Sequence, residues 1–291
     1  MRTIEALRAA RSDIVGSVGL VPTMGALHDG HMALVSQAVA DNDVVLATIF
    51  VNPTQFAPDD DLERYPRDLE GDLAKLEARG VDWVFAPTMD AMYPPGFQTT
   101  VKLDTLTQRL EGAVRPGHFA GVATIVSKLF NLTQPTRAYF GQKDAQQVAV
   151  IRRLVHDLNF PLQVVVVPTV READGLAMSS RNVYLGTEER AAAQVLSRAL
   201  DAAQALYDDG ERAPQALRTV MQQAIDAEPL ATADYISVAD ASTLQEMRTQ
   251  ITTPVLLSLA VKIGQPRLLD NRLLPANLNS TAGLTATLGA V

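Results

Sequence analysis

Two kinds of segment alternate over roughly the first 170 residues of the chain. Short, nearly continuous apolar runs such as "DVVLATIFV" have the length of strands that are buried on both faces. Between them stand segments with helical spacing; in "HMALVSQAVADND", Met32, Val35 and Val39 fall at i, i+3 and i+7. Strands and helices that alternate with short connections predict a parallel sheet with helices on both faces.

The predicted elements of this region follow one another closely. The predicted strands are "SVGLVPTM", "DVVLATIFV", "VDWVFAP", "RAYFGQ" and "LQVVVVPTV". The predicted helices are "HMALVSQAVADND", "DLEGDLAKLEARG", "GVATIVSKLFNLTQP" and "KDAQQVAVIRRLVHDLN". Gly80 is a suitable C′ residue for the second helix, and the third stops before Pro135.

The pattern changes after about residue 186. Two Ala-rich amphipathic segments, "TEERAAAQVLSRALDAAQALYDDG" and "APQALRTVMQQAIDA", precede three strand-like segments, "ADYISVAD", "PVLLSLAVKIG" and "RLLDNRLL". We therefore expect an α/β protein with a Rossmann-like domain over residues 1–175 and a smaller C-terminal α+β domain over 176–291. The final segment, "NSTAGLTATLGAV", carries no charge, and we expect it to be loose.

Composition narrows the class of protein. The chain has 291 residues, of which 47% are apolar, which is ample for packed cores. A net charge of −8 without a basic cluster argues against nucleic-acid and membrane-surface partners. The absence of cysteine excludes disulfides, thiolate metal sites and Cys nucleophiles. No segment has the features of a secretory signal or the length of a membrane helix, so a soluble cytoplasmic protein is expected.

Two of the four histidines, His28 and His31, occupy one strand-to-helix turn in "TMGALHDGH". Gly25 and Gly30 allow the backbone to approach a ligand closely, and the N-terminus of a helix offers N–H groups and partial positive charge. A phosphate group is the natural ligand of such a turn. Zinc is the rival, although it needs further ligands, and single histidines often merely cap or pack.

Other polar motifs also follow predicted strands, where α/β sheets bind their ligands. "GQKDAQQ" carries Lys143, and "MSSR" places two hydroxyls beside the guanidinium of Arg181, which can bind phosphate oxygens. "FVNPTQF" places the amides of Asn52 and Gln55 at a strand end. Each motif also fits an ordinary turn or cap, and the same alternatives are open for the loop before "HFAGVATIVSKLFN".

Taken together, the motifs resemble the pantothenate synthetase (pantoate–β-alanine ligase) family of the HxGH nucleotidylyltransferase superfamily. The family's order and spacing are matched by "PTMGALHDGH", "FVNPTQF", "YPRDLEGD", "GHFAGVATIVSKLF", "YFGQKDAQQ", "VREADGLAMSSRN" and "RLLDN". The resemblance covers nearly all of residues 1–273. It implies an ATP-dependent ligase that joins pantoate to β-alanine through pantoyl adenylate, with Mg²⁺, a homodimer formed through the N-terminal domain, and a C-terminal lid domain.

The resemblance also implies residue roles. The implied catalytic residues are His28, His31, Lys143 and Arg181. The implied ATP-binding residues are Met24, Gly25, Ala26, Leu27, His28, Asp29, Gly30, His31, Gly141, Gln142, Lys143, Asp144, Val170, Met178, Ser179, Ser180 and Arg181. Gln55 and Gln147 would bind pantoate, with Gln55 also lying toward β-alanine. Asp72 matches a magnesium-side carboxylate, although an ordinary acidic helix residue is the other interpretation.

Three other classes of protein share some of these features. A cytidylyltransferase has the HxGH turn but does not account for "NPTQF" or "GQKDAQQ" at these places. A tRNA-binding synthetase fragment needs a basic surface for RNA, and a net charge of −8 with no basic stretch speaks against it. A nonenzymatic nucleotide-binding module would bind ATP without releasing pyrophosphate.

Overall fold

The computed structural model describes residues 1–57 and 62–275. Its contacts divide the chain into two compact units. The first comprises Met1–Gly141 and Gln146–Val167, and the second comprises Gln142–Ala145 and the chain from Pro168 onward. The domain boundary at residue 175 and the lid role stay predictions, and the uncharged C-terminal segment lies outside the described residues.

The first unit is built on a five-stranded sheet. Its strands are β1 (Val18–Thr23), β2 (Val44–Ile49), β3 (Trp83–Phe85), β4 (Arg137–Gly141) and β5 (Gln163–Val167). They lie in the order β3-β2-β1-β4-β5, and all neighbours are parallel, which confirms the predicted sheet. The order reverses between β1 and β4, and open α/β sheets bind ligands at the carboxyl ends of the strands beside such a reversal.

Helices cover both faces of this sheet. They are α1 (Ile4–Ser12), α2 (Asp29–Asp41), α3 (Leu69–Ala78), α4 (Met89–Met92), α5 (Glu111–Val114), α6 (His118–Thr133) and α7 (Ala145–Asp157). Neighbouring residues of β2 point to opposite faces. Leu46 joins a core with Phe130 of α6 and Ile151 of α7, while Ala47 joins a second core with Val35 of α2. Within the described ranges, no helix is both long and apolar enough to cross a membrane.

The second unit has a smaller antiparallel sheet. Its elements are α8 (Thr187–Ala193), α9 (Val195–Asp208), α10 (Pro214–Asp226), β6 (Ala231–Asp240), β7 (Val255–Ile263) and β8 (Arg267–Leu274). The strands lie in the order β6-β7-β8, and α9 and α10 share a core with them, which confirms the predicted α+β arrangement. The expected single helix from Thr187 is two helices that meet at Gln194.

Candidate active site

The turn that follows β1 has left-handed backbone at two successive residues. Gly25 has φ of +83° and Ala26 has φ of +52°. A Cβ atom on Gly25 would lie 2.9 Å from Oδ2 of Asp72 and 3.2 Å from a methyl group of Ile49, so both the conformation and the space favour glycine. The turn leads directly into α2, whose N-cap is His28.

The two histidines of the turn cap α2 reciprocally. Nδ1 of His28 accepts from the N–H of Gly30 at 3.1 Å, and Nδ1 of His31 accepts from the N–H of His28 at 3.3 Å. The ring centroids are 4.1 Å apart. Because Nδ1 is an acceptor in both rings, the proton of each neutral imidazole is on Nε2. Capping therefore fixes the tautomer and the orientation of two rings at a helix N-terminus, where anions are favoured.

The carboxylate of Asp72 in α3 stabilises the same turn by accepting hydrogen bonds from its backbone. Its side chain is 1% exposed, and its two oxygens accept from the backbone N–H groups of Ala26 (2.8 Å) and Leu27 (2.7 Å). Nζ of Lys75, one turn further along α3, donates to the carbonyl oxygen of Leu27 at 2.7 Å. Since both carboxylate oxygens already accept hydrogen bonds, this geometry favours a structural role, and the magnesium-side role stays a prediction.

The geometry gives little support to a zinc site at His28 and His31. His118 donates through Nδ1 to the carbonyl oxygen of Gln55 at 2.7 Å, and His156 lies beside Asp157 at 3.1 Å. Among the residues that the structure describes, no group of three or more His, Asp or Glu side chains is arranged to hold a metal ion.

Gln55 is fixed through both its side chain and its backbone. It ends a 3₁₀ helix, Pro53–Gln55, that follows β2. Oε1 accepts from Nδ2 of Asn52 at 3.0 Å, and Nε2 donates to the sulfur of Met24 at 3.1 Å. The Gln55 carbonyl oxygen accepts from His118 and from Nη2 of Arg115 at 3.2 Å. The structure thus brings the predicted pantoate residue against the HxGH turn.

Asn52 is the buried centre of this arrangement, whereas the sequence predicted only that its amide stands at a strand end. It is 1% exposed, and its Oδ1 accepts from the hydroxyls of Tyr93 (2.8 Å) and Thr54 (2.9 Å). Its Nδ2 also donates to the carbonyl oxygen of Gly121 in α6 at 3.2 Å. A Cβ atom on Gly121 would lie 2.2 Å from the Thr54 carbonyl oxygen, so glycine permits this close approach. An amide directly after an apolar strand was the available signal, because a buried amide needs partners.

Gln146 and Gln147 are neighbours in α7 with different surroundings. Gln146 is buried; its Nε2 donates to the carbonyl oxygens of Leu106 and Arg109, and its Oε1 accepts from the N–H of Glu111. Gln147 is half-buried, and its side chain has no hydrogen bond to another residue in the part of the chain that the structure describes. Gln147 is thus the member of the pair whose amide suits a ligand.

The remaining predicted site residues, apart from Gly141 at the end of β4, belong to the second unit. Gln142–Asp144 form a 3₁₀ turn in which Nζ of half-buried Lys143 lies 3.5 Å from Oδ1 of Asp144. Val170 begins a hairpin, because its carbonyl oxygen accepts from the N–H of Met178 at 3.0 Å. Ser179 then caps a 3₁₀ helix by accepting from the N–H of Arg181 at 3.3 Å.

Charged pairs tie this hairpin to α8. Arg190 donates to Glu172 at 2.6 Å and to Asp174 at 2.9 Å, while Nδ2 of Asn182 donates to Glu172 at 2.7 Å. The hydrogen bond from Arg190 is the main cause that lowers the pKa of Glu172. The loop that carries Ser179–Arg181 therefore begins and ends at anchored residues.

Comparison with known proteins identifies the family of the chain. A family model described as pantoate-beta-alanine ligase matches residues 1–273. The pantothenate synthetase of Roseiflexus sp. (strain RS-1) is 61% identical over 274 residues, which is 94% of this chain and 98% of that relative.

Comparison with solved structures identifies the same family. The pantothenate synthetase of Thermus thermophilus superposes with a TM-score of 0.89 and 49% identity, covering 93% of this chain and 97% of that one. The pantoate-beta-alanine ligase of Francisella tularensis, complexed with beta-gamma ATP and beta-alanine, has a TM-score of 0.77 and 34% identity, covering 94% and 96% of the two chains. The chain therefore belongs to the pantoate–β-alanine ligase family of enzymes.

Proposed function

We propose that this enzyme condenses pantoate with β-alanine to give pantothenate, and that it uses ATP through a pantoyl-adenylate intermediate. The observation that carries the proposal is the pair of reciprocally capped histidines, His28 and His31, at the N-terminus of α2. Family membership supports the two substrates, and the solved relative from Francisella tularensis, complexed with beta-gamma ATP and beta-alanine, supports the use of ATP.

In the first half-reaction, a carboxylate oxygen of pantoate attacks the α-phosphorus of ATP. The bond from that phosphorus to the bridging oxygen breaks, and pyrophosphate leaves with the electron pair. Negative charge grows on the leaving group, so catalysis requires positioned donors rather than covalent chemistry. In this proposal, Nε2–H of His28 and of His31 and the positive end of α2 stabilise that charge, the turn Met24–His31 lies against the phosphates, and Lys143 and Arg181 contact them.

In the second half-reaction, the amine of β-alanine attacks the acyl carbon of the adenylate. The new C–N bond forms, the bond from the acyl carbon to the phosphate oxygen breaks, AMP leaves with the electron pair, and the amine proton passes to solvent. Gln55 and Gln147 bind pantoate, and Gln55 also faces β-alanine. Asp144 contacts the ribose, and the backbone of Val170 contacts adenine; the family resemblance supports these last two roles.

Mg²⁺ commonly binds nucleotide phosphates and only one or two protein carboxylates while it keeps several waters. The Asp72 carboxylate accepts two backbone hydrogen bonds and holds the turn, so it does not offer a preformed cage. We therefore propose that Mg²⁺ would be held chiefly by the ATP phosphates, where it would neutralise part of their charge.

Pyrophosphate release tests the proposal. The enzyme is mixed with ATP, Mg²⁺ and pantoate, first without and then with β-alanine. We expect a burst equal to the enzyme concentration with pantoate alone, and steady turnover with AMP production once β-alanine is added.

Other outcomes would contradict parts of the proposal. Turnover only when both substrates are present, with no burst and no pantoate-dependent exchange of pyrophosphate into ATP, would argue against the adenylate. A folded enzyme that binds ATP but is silent with pantoate would overturn the substrate assignment. Activity with CTP in place of ATP would favour a cytidylyltransferase.

A further inference from the structure

We propose that Asp270 and Asn271, adjacent residues of β8, are positioning residues for ATP. They fix two separate backbone segments of the second unit, the turn Gln142–Asp144 and the hairpin that begins at Val170. The inference rests on the proposed function, because that function assigns ATP contacts to both segments.

Asn271 directs its whole amide group at the first segment. The side chain is 6% exposed. Nδ2 donates to the carbonyl oxygens of Gln142 (3.1 Å) and Lys143 (2.7 Å), and Oδ1 accepts from Nε2 of Gln142 at 3.2 Å. One amide group therefore donates to two successive carbonyl groups of the 3₁₀ turn. These two hydrogen bonds fix the backbone of Lys143.

Asp270 holds the second segment. It is 2% exposed and accepts from both terminal nitrogens of Arg171, at 2.6 Å and 2.9 Å, which is the strong bidentate arrangement. Arg171 also donates to the carbonyl oxygen of Gly175 at 3.0 Å and so spans the hairpin. Asp270 also makes one hydrogen bond within its own strand, in which its Oδ1 accepts from the N–H of Asn271 at 2.8 Å.

A short piece of one strand thus holds both segments. Successive side chains of a strand point to opposite faces, so neighbouring residues can serve two segments. The strand is itself rigid, because Asp270 pairs with Leu259 and Asn271 with Ser258 in the ladder to β7. The pair fixes the backbone of Lys143 relative to that of Val170, which is what ATP requires if it contacts both.

Isosteric substitutions test this inference. Asn271→Asp replaces the two donated hydrogens by a carboxylate oxygen that faces two carbonyl groups. Asp270→Asn removes the charge and one acceptor from Arg171. The matched control is Arg272→Gln, the next residue of β8, because Arg272 pairs instead with Asp201 of α9 at 2.7 Å.

The KM values for ATP, pantoate and β-alanine, kcat, and the Kd of a nonhydrolysable ATP analogue are measured for each variant. Losing a buried hydrogen-bond partner should raise the ATP KM and the analogue Kd by about tenfold or more. We expect the pantoate KM to change by less than about twofold, because sites that share no partners usually respond independently. Arg272→Gln should keep the wild-type ATP KM, and circular dichroism should show that each variant is folded.

Several outcomes would overturn the inference. Folded variants that melt at a lower temperature but keep the wild-type ATP KM and analogue Kd would show that the pair is structural only. Equal increases in the ATP and pantoate KM values would also contradict it. If Asn271→Asp does not fold, Asn271→Ser, which keeps a hydroxyl donor, is judged by the same criteria. Wild-type enzyme that binds the analogue but does not use pantoate would refute the proposed function, and the analogue Kd would still decide the inference.

Discussion

His28 and His31 each use one ring nitrogen for structure and present the other in a fixed orientation. From the sequence, capping and phosphate binding were competing interpretations of these histidines. The structure shows the capping through Nδ1, and the proposed chemistry uses Nε2. One imidazole can therefore serve both purposes, which helps to explain why a chain with four histidines places two of them in one turn.

His31→Ala should slow adenylate formation by about 10²–10⁴-fold, the range for a lost catalytic acid or charge stabiliser. Single-turnover release of pyrophosphate with ATP, Mg²⁺ and pantoate measures this rate. His156→Ala is the control, because His156 is an exposed residue near the end of α7. A nearly unchanged rate for His31→Ala would show that His31 has no catalytic role.

The neighbours Gln146 and Gln147 should respond differently to the same change. Gln147→Ala should raise the pantoate KM more than the ATP KM. Gln146→Ala should leave both KM values unchanged but lower the free energy of unfolding by about 1–3 kcal/mol, because it leaves buried backbone groups unpaired. Steady-state kinetics and urea unfolding measure the two effects. Equal effects of Gln147→Ala on both KM values would indicate a structural residue.

At the scale of elements, α3 acts as a support for the HxGH turn. Its amphipathic pattern and its termination just before the C′ glycine, Gly80, were predictable, because both depend on residues close in sequence. The meeting of Asp72 with Ala26 and Leu27 was not, since it joins positions 46 and 45 residues apart. The magnesium-side role of Asp72 was implied by the family resemblance, and it stays a prediction beside the structural role.

Asp72→Asn separates the two interpretations of this carboxylate. The new amide would place a donor against a backbone N–H, so we expect a loss of about 1–3 kcal/mol in the free energy of unfolding together with slower adenylate formation. Asp68→Asn, at the N-cap of the same helix, is the control, because Asn caps as well as Asp. If normal stability and rescue of the rate by high Mg²⁺ were found instead, Asp72 would be a magnesium-side ligand.

The link between α8 and the hairpin should depend on pH. The hydrogen bond from Arg190 lowers the pKa of Glu172 in the folded enzyme. This pair therefore stabilises the fold fully above the usual Glu pKa of about 4.3, and the effect is lost as the pH falls through the lower folded value. The melting-temperature difference between wild type and Arg190→Gln should be constant above about pH 5 and shrink at lower pH. A melting-temperature difference that stays unchanged down to about pH 3 would contradict the stabilising role of the pair Arg190 and Glu172.

At the scale of the whole molecule, the alternation of strand and helix patterns predicted the fold class. Those patterns are local, so β1 through β5 and the helices α2, α3, α6 and α7 lie close to where the sequence placed them. The split of the long Ala-rich segment at Gln194 escaped prediction, because the apolar spacing continues across it. The short helices α4 and α5 were also not predicted.

The candidate site was predictable where its residues form motifs and hidden where they act through distant partners. His28, Lys143 and Arg181 stand in recognisable local patterns. Asn52 and Asn271 also stand in quoted motifs, but their roles could not be predicted, because these roles depend on Gly121 and Gln142, which lie 69 and 129 positions away. Such contacts appear only when the chain has folded.

The contact between Asn271 and Gln142 has a consequence for synthesis on the ribosome. The two residues are 129 positions apart, and at about 5–20 residues per second the second is added roughly 6 to 26 seconds after the first. β1 through β5 are complete on the nascent chain long before β8 emerges. The carbonyl group of Lys143 therefore lacks its hydrogen bond from Asn271 until nearly the last of the described residues is made, and a chain that stops before residue 271 would never form it.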